Sequence, residues 1–125
     1  MDFGNAFHMI RELGMTPDGG LLPGEALTAI HWVHRMFALV VVAILGTLAF
    51  RLIGFPGMKP LGWFLAAALA AQFLLGLGNV AFGLPLSLAA AHNAGAAVLL
   101  ATMVVINYVS FHGLALQRAA QAPSA

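Results

Sequence analysis

Three long apolar runs, at about 27–53, 61–82 and 86–111, are separated by short turn-forming breaks. Each reaches the roughly 20 residues that a helix needs to cross a bilayer. The first exceeds that minimum, which predicts tilt or an overhang into the headgroups. Gly54-Phe55-Pro56-Gly57 ends it, Lys59 and Pro60 precede the second run, and Gly83-Leu84-Pro85 makes a tight turn before the third. The second run is filled with small residues, among them Ala66, Ala67, Ala68, Gly76 and Gly78, which let helices approach closely in lipid; it reads as a packing helix. Residues 1–26 are polar enough to lie outside the bilayer. Within them Phe3, Phe7, Ile10 and Leu13 recur at helical spacing and predict a short interfacial helix over residues 5–13, with Gly14 after its end and a turn at Thr16-Pro17-Asp18-Gly19-Gly20. Pro23 and Glu25 suit the first turn of the first span. Residues 114–125 form a tail of Ala, Gln, Pro and Ser, expected to be frayed.

Composition sharpens this pattern into a class. With 62% hydrophobic and 7% charged residues, the chain is far from the quarter charged that soluble domains carry, and it reads as an all-α integral membrane protein. Between Lys59 and Arg118 there is no Lys, Arg, Asp or Glu. If the three spans alternate, Arg51, Lys59 and Arg118 share one side and Asp2, Glu12, Asp18 and Glu25 the other. The positive-inside rule then makes residues 1–26 periplasmic and residues 114–125 cytoplasmic, flanking a membrane domain over 27–113 in a bacterial inner membrane. No signal peptide opens the chain, so an outward N-terminus is expected if another span precedes Met1, that is, if the sequence is a fragment. The net charge of +1 is too small to suggest nucleic-acid binding, and the basic residues are scattered instead of clustered, so no nucleic-acid partner is expected. The absence of cysteine excludes disulfides, thiolate metal sites and Cys nucleophiles.

Against this background Ile30-His31-Trp32-Val33-His34-Arg35 stands out, because ionisable groups are expensive at that depth and are usually functional. His34 lies seven residues into the first span and His92 six into the third, so each is roughly 10 Å below its helix start. The first and third spans run parallel, so their imidazoles are expected to face each other at one level. One neutral imidazole from each of two helices is the donor set of a bis-histidine haem, and His34 and His92 are the expected iron ligands. Ala38 below His34, with Ala89, Gly95 and Ala96 around His92, are expected to leave a slot for the macrocycle. Arg35 suits a haem propionate, since a guanidinium favours charge-assisted contacts to carboxylate. His31 shares a helical face with His34 and could orient a propionate, carry a proton or touch a second cofactor. His8 and His112 read as solvated and Trp32 and Trp63 as interfacial belt residues; Met36, Met58 and Met103 could in principle be axial haem ligands, but methionine in an apolar span is usually gap-filling. Gln72, Asn79 and Asn107 read as interhelical hydrogen-bonding groups.

The run His31-Trp32-Val33-His34-Arg35, followed by Leu75-Gly76-Leu77-Gly78-Asn79-Val80-Ala81-Phe82-Gly83-Leu84-Pro85-Leu86 and Ala91-His92-Asn93-Ala94-Gly95-Ala96, resembles the C-terminal half of the haem A synthase family. Phe7-His8-Met9-Ile10-Arg11-Glu12-Leu13-Gly14-Met15-Thr16-Pro17-Asp18-Gly19 resembles the external loop that precedes that half. That family is built as two similar four-helix halves, so the resemblance implies three spans of a four-helix haem-binding half-bundle. It implies a haem b on His34 and His92, and haem O as substrate in the other half, where a methyl group is oxidised to formyl with water and external electron acceptors. The partners implied are that missing N-terminal half, an electron-transfer partner or quinone, and possible contacts with haem O synthase and oxidase assembly factors. The other half carries a Glu-x-x-His-Arg motif; His31 occupies the matching place here, so the glutamate's role is not carried over and no catalytic residue is assigned. A piece of this kind is expected to be inactive alone. Two other readings remain open: a stand-alone bis-histidine b-type cytochrome, and a proton-relay or assembly subunit using His31 and His34 without haem.

Overall fold

The computed structural model describes residues 1–7, 15–16 and 19–120, with residue 5 and residues 114–120 described by backbone alone. The described chain is helical: α1 (Phe3–Ala6), α2 (Gly24–Gly54), α3 (Lys59–Ala81) and α4 (Leu86–Ala120). Three stretches are long and apolar enough to cross a membrane, Gly24–Gly54, Lys59–Ala81 and Leu86–Gly113. Their outer surfaces carry exposed Phe37, Ile44, Phe50, Leu74, Leu77, Leu100 and Val104. Helices apolar on all sides belong in lipid or against other helices, because water would penalise every one of these side chains. Three hydroxyls within the spans are satisfied locally: Thr28 donates to the Gly24 carbonyl at 2.8 Å, Thr102 to Val98 at 2.7 Å and Ser110 to Ile106 at 2.7 Å.

The chain divides into two compact units, Met1–Ala43 and Ile44–Ala125, and α2 contributes residues to both. In the first, Ala6, Ala26 and Ala29 are buried together, with Leu22 and Ile30 packed on them. The Asp2 amide donates to the Glu25 carbonyl at 3.3 Å. Gly19 adopts a φ of 80°, and the Thr16 hydroxyl accepts from the Gly20 amide at 3.1 Å, closing the turn that the Gly-rich sequence predicts. The Pro23 carbonyl receives the Ala26 and Leu27 amides and so starts α2, with Glu25 in its first turn. Of the interfacial helix expected over residues 5–13, only residues 5–6 fall in the short α1, which begins earlier, at Phe3. Residues 8–13 lie outside the described residues, as do Gly14, Pro17 and Asp18.

In the second unit, two short corners fold the helices back on themselves. Phe55-Pro56-Gly57-Met58 is a turn closed by the Met58 amide on the Phe55 carbonyl at 3.1 Å; Pro56 presets the first central position and Gly57 supplies the φ of 87° that the second requires. Just beyond it Gly62 lies directly against the α2 backbone, where a Cβ would stand 2.7 Å from the Ile53 amide nitrogen. At the other end of α3, Gly83 at φ 69° follows the helix, and the Leu84 amide returns to the Asn79 carbonyl at 2.8 Å, a Schellman ending that satisfies an otherwise orphaned carbonyl.

These corners make α3 and α4 antiparallel neighbours. Their seam follows a 3–4 spacing on both helices. On α3 buried or half-buried positions recur at Gly62, Leu65, Leu69, Gln72, Gly76 and Asn79, of which Gln72, Gly76 and Asn79 meet α4 while Gly62 and Leu69 lie against α2; on α4 they recur at Leu88, His92, Gly95, Leu99, Thr102 and Ile106. Such a repeat keeps one stripe facing a partner at a shallow crossing angle. One expectation needs correcting at the end of α4. The helix continues to Ala120, where a tail from residue 114 was expected to fray, because Leu, Ala, Gln and Arg are among the best helix formers. Residues 121–125 lie outside the described residues.

Gly62→Ala is expected to destabilise the protein by about 1–3 kcal/mol, since its methyl would meet backbone that cannot step aside. Gly54→Ala, with open space around it, is expected to have little effect. Unfolding in detergent followed by circular dichroism compares the two, and equal midpoints would refute the close approach.

Candidate functional site

His92 occupies the middle of the α3–α4 seam, and α3 shapes its surroundings. The imidazole is half-buried with its Cε1 edge toward Gly76: a Cβ there would stand 3.1 Å from Cε1, 3.6 Å from Nδ1 and 4.0 Å from Nε2. Glycine at this position therefore makes room for the ring, and Nε2 is the ring nitrogen held further from α3. One turn earlier on α3, Gln72 reaches across and its Nε2 donates to the main-chain carbonyl of His92 at 2.9 Å. The same side chain fills the space over Gly95, where a Cβ would collide with Gln72 Oε1. Asn79 makes the equivalent contact at the far end of the seam, donating from Nδ2 to the Leu88 carbonyl at 3.4 Å.

Two expectations change here. Gly95 does not leave a slot for a macrocycle, because the Gln72 amide occupies that space; its small size serves helix packing. Asn107 bonds within its own helix, donating to the Met103 carbonyl at 2.8 Å, whereas Gln72 and Asn79 do bridge helices. The sequence marked Gln72 as a bridging group but gave no sign that its acceptor is the backbone of His92 itself. The signal lay in the paired 3–4 stripes, which set Gln72 and Gly76 on one face of α3 and His92 and Gly95 on one face of α4.

Among the described residues, Gln72 Oε1 is buried with no donor, and so is Asn79 Oδ1.

His31, His34 and Arg35 lie together on α2 in the first unit, all exposed, with Ala38 half-buried one turn beyond His34. Trp32 and Trp63 are exposed, as belt residues would be. His112 is exposed and pairs with Tyr108 one turn earlier, its Nε2 3.4 Å from the tyrosine hydroxyl and the ring centroids 4.3 Å apart. His8 lies outside the described residues. Among the described residues no three of His, Cys, Asp and Glu converge as a metal site. The donor set that does exist is two histidines on two apolar helices, one of them, His92, with a glycine recess opposite its ring. Imidazoles from two separate helices are the kind of donors that a haem iron accepts, with no third protein ligand needed.

Comparison with known proteins bears on the same residues. The sequence model of the cytochrome oxidase assembly protein family matches residues 1–104, a stretch that takes in both His34 and His92. A haem A synthase of Shewanella oneidensis is 42% identical over 93 residues, covering 74% of this chain and 28% of that protein. The matched part is thus under a third of the length of that relative. No solved structure gives a significant match. Matched over most of its length at this level of identity, the chain belongs to the haem A synthase family of cytochrome oxidase assembly proteins.

Proposed function

We propose that the chain provides the cofactor-haem half of a haem A synthase, holding a haem b between His34 of α2 and His92 of α4 in three spans of a four-helix half-bundle. The observation that carries this reading is that the family match over residues 1–104 includes both histidines, on two separate spans, and one of them has a ring recess built around it. A bis-imidazole haem supplies one-electron transfer within the membrane. The chain's own residues hold and tune it. His34 and His92 would bind through their imidazole nitrogens. Arg35, next in sequence to His34, pairs with a propionate, and His31, on the same face one turn earlier, hydrogen-bonds near it. The iron-binding pair and Arg35 together set how readily an electron is held.

Oxidation of the haem O methyl group to formyl takes place in a second, substrate-holding half, consistent with the short share of the Shewanella relative that this chain spans. The methyl-to-formyl oxidation takes its oxygen from water and releases electrons, and a haem b held by His34 and His92 would supply one-electron transfer toward a membrane acceptor such as a quinone. The assembly sits in a bacterial inner membrane with residues 1–26 on the periplasmic side and the end of α4 on the cytoplasmic side, as the positions of Arg51, Lys59 and Arg118 favour.

Two measurements test the proposal. The chain purified with haem in detergent is expected to show a reduced low-spin b-type spectrum that is lost in both His34→Ala and His92→Ala while helicity is kept; an unchanged band in either variant would refute that ligand. In bacteria lacking haem A synthase, the chain alone is expected to yield haem b binding without haem A, and haem A is expected to return when a substrate-holding half is supplied. Haem A from the chain alone would contradict the division of labour. No haem A with the second half present would favour a stand-alone cytochrome.

A further inference from the structure

Gln72 spans two helices to reach the backbone of one particular residue, and that residue is the proposed ligand on α4. Its Nε2 donates to the His92 carbonyl at 2.9 Å, although in a helix that carbonyl already serves the amide four residues on. The extra donor therefore adds orientation where the ladder is already satisfied. The far end of the Gln72 side chain is pressed over Gly95, one turn beyond His92, and Gly76, one turn beyond Gln72, receives the ring of His92. Three contacts from α3 thus bear on one turn of α4: a hydrogen bond at the ligand's main chain, an amide against the next turn, and a glycine recess for the imidazole edge. Rotation of α4 about its axis at this point would break all three.

We propose that Gln72 is a positioning residue that fixes the direction of the His92 imidazole, and through it the axial field that His92 presents to a bound haem. The inference rests on the reading of His92 as a haem ligand. Asn79 provides an internal comparison, because it makes the same kind of bond, side-chain amide to α4 carbonyl, to Leu88 and not to His92. General tightening of the seam would make the two equivalent, whereas positioning makes only Gln72 matter to the ligand.

The test uses the full chain with three variants. Gln72→Leu removes the donor. Gly95→Ala displaces the Gln72 amide by a methyl group, which is tolerable because the atom it meets is the tip of a flexible side chain. Asn79→Leu is the control. In the haem-loaded protein, electron paramagnetic resonance of the ferric state and the haem midpoint potential report the axial field. In the haem-free protein, nitrogen NMR of isotopically labelled histidine reports whether the His92 ring keeps one orientation. Gln72→Leu and Gly95→Ala are both expected to shift the ferric g-values and the potential at unchanged haem content, and to broaden or split the His92 ring signal, while Asn79→Leu leaves all of these as in the parent protein. Unchanged signals in Gln72→Leu, or an equal shift in Asn79→Leu, would overturn the positioning role. If the parent protein takes up no haem, the haem reading fails by itself, and the ring signal of the haem-free protein alone decides whether Gln72 orients His92.

Discussion

The close approach of α3 and α4 is the constraint on which the rest of this structure depends. In hydrocarbon there is no hydrophobic force to press helices together, so they associate through packing and polar contacts. Small residues supply the packing here. Gly76 admits an imidazole and Gly95 admits an amide. The polar contacts then fix register: Gln72 and Asn79 each cross to an α4 carbonyl and so set which residue faces which.

Much of this fold is legible in the sequence, for physical reasons specific to membranes. A span must satisfy its own backbone, so an uninterrupted apolar run has one regular outcome, and three such runs became three helices. The corners were equally legible, because Pro56-Gly57 and Gly83 fit the backbone angles that those turns demand. The end of α4 was not, since the composition that resembles a loose tail is also rich in helix formers. Helix facing was harder still. In spans that are apolar all round, hydropathy cannot say which side meets a neighbour, and only the 3–4 spacing of small and polar residues carries that information.

The candidate site shows the same division. His31, His34, Arg35 and His92 stand out from sequence because charge and imidazole are costly in lipid, and the chain's place in the haem A synthase family gives them a chemical setting. The surroundings of His92 could not be read that way. Gly95 looked like free space beside a ligand, and only the coordinates reveal that Gln72 fills it. A small residue leaves room, but the sequence does not say for what.

His92 meets α3 twice, at its main-chain carbonyl through Gln72 and at its ring through Gly76. The central claim is that two imidazoles, from His34 and His92, hold one haem, with none of the methionines taking part. Near-infrared magnetic circular dichroism of the ferric, haem-loaded protein reports axial ligand identity directly. A bis-imidazole charge-transfer band is expected; an imidazole–thioether band or a high-spin ferric signature would contradict the bis-histidine site.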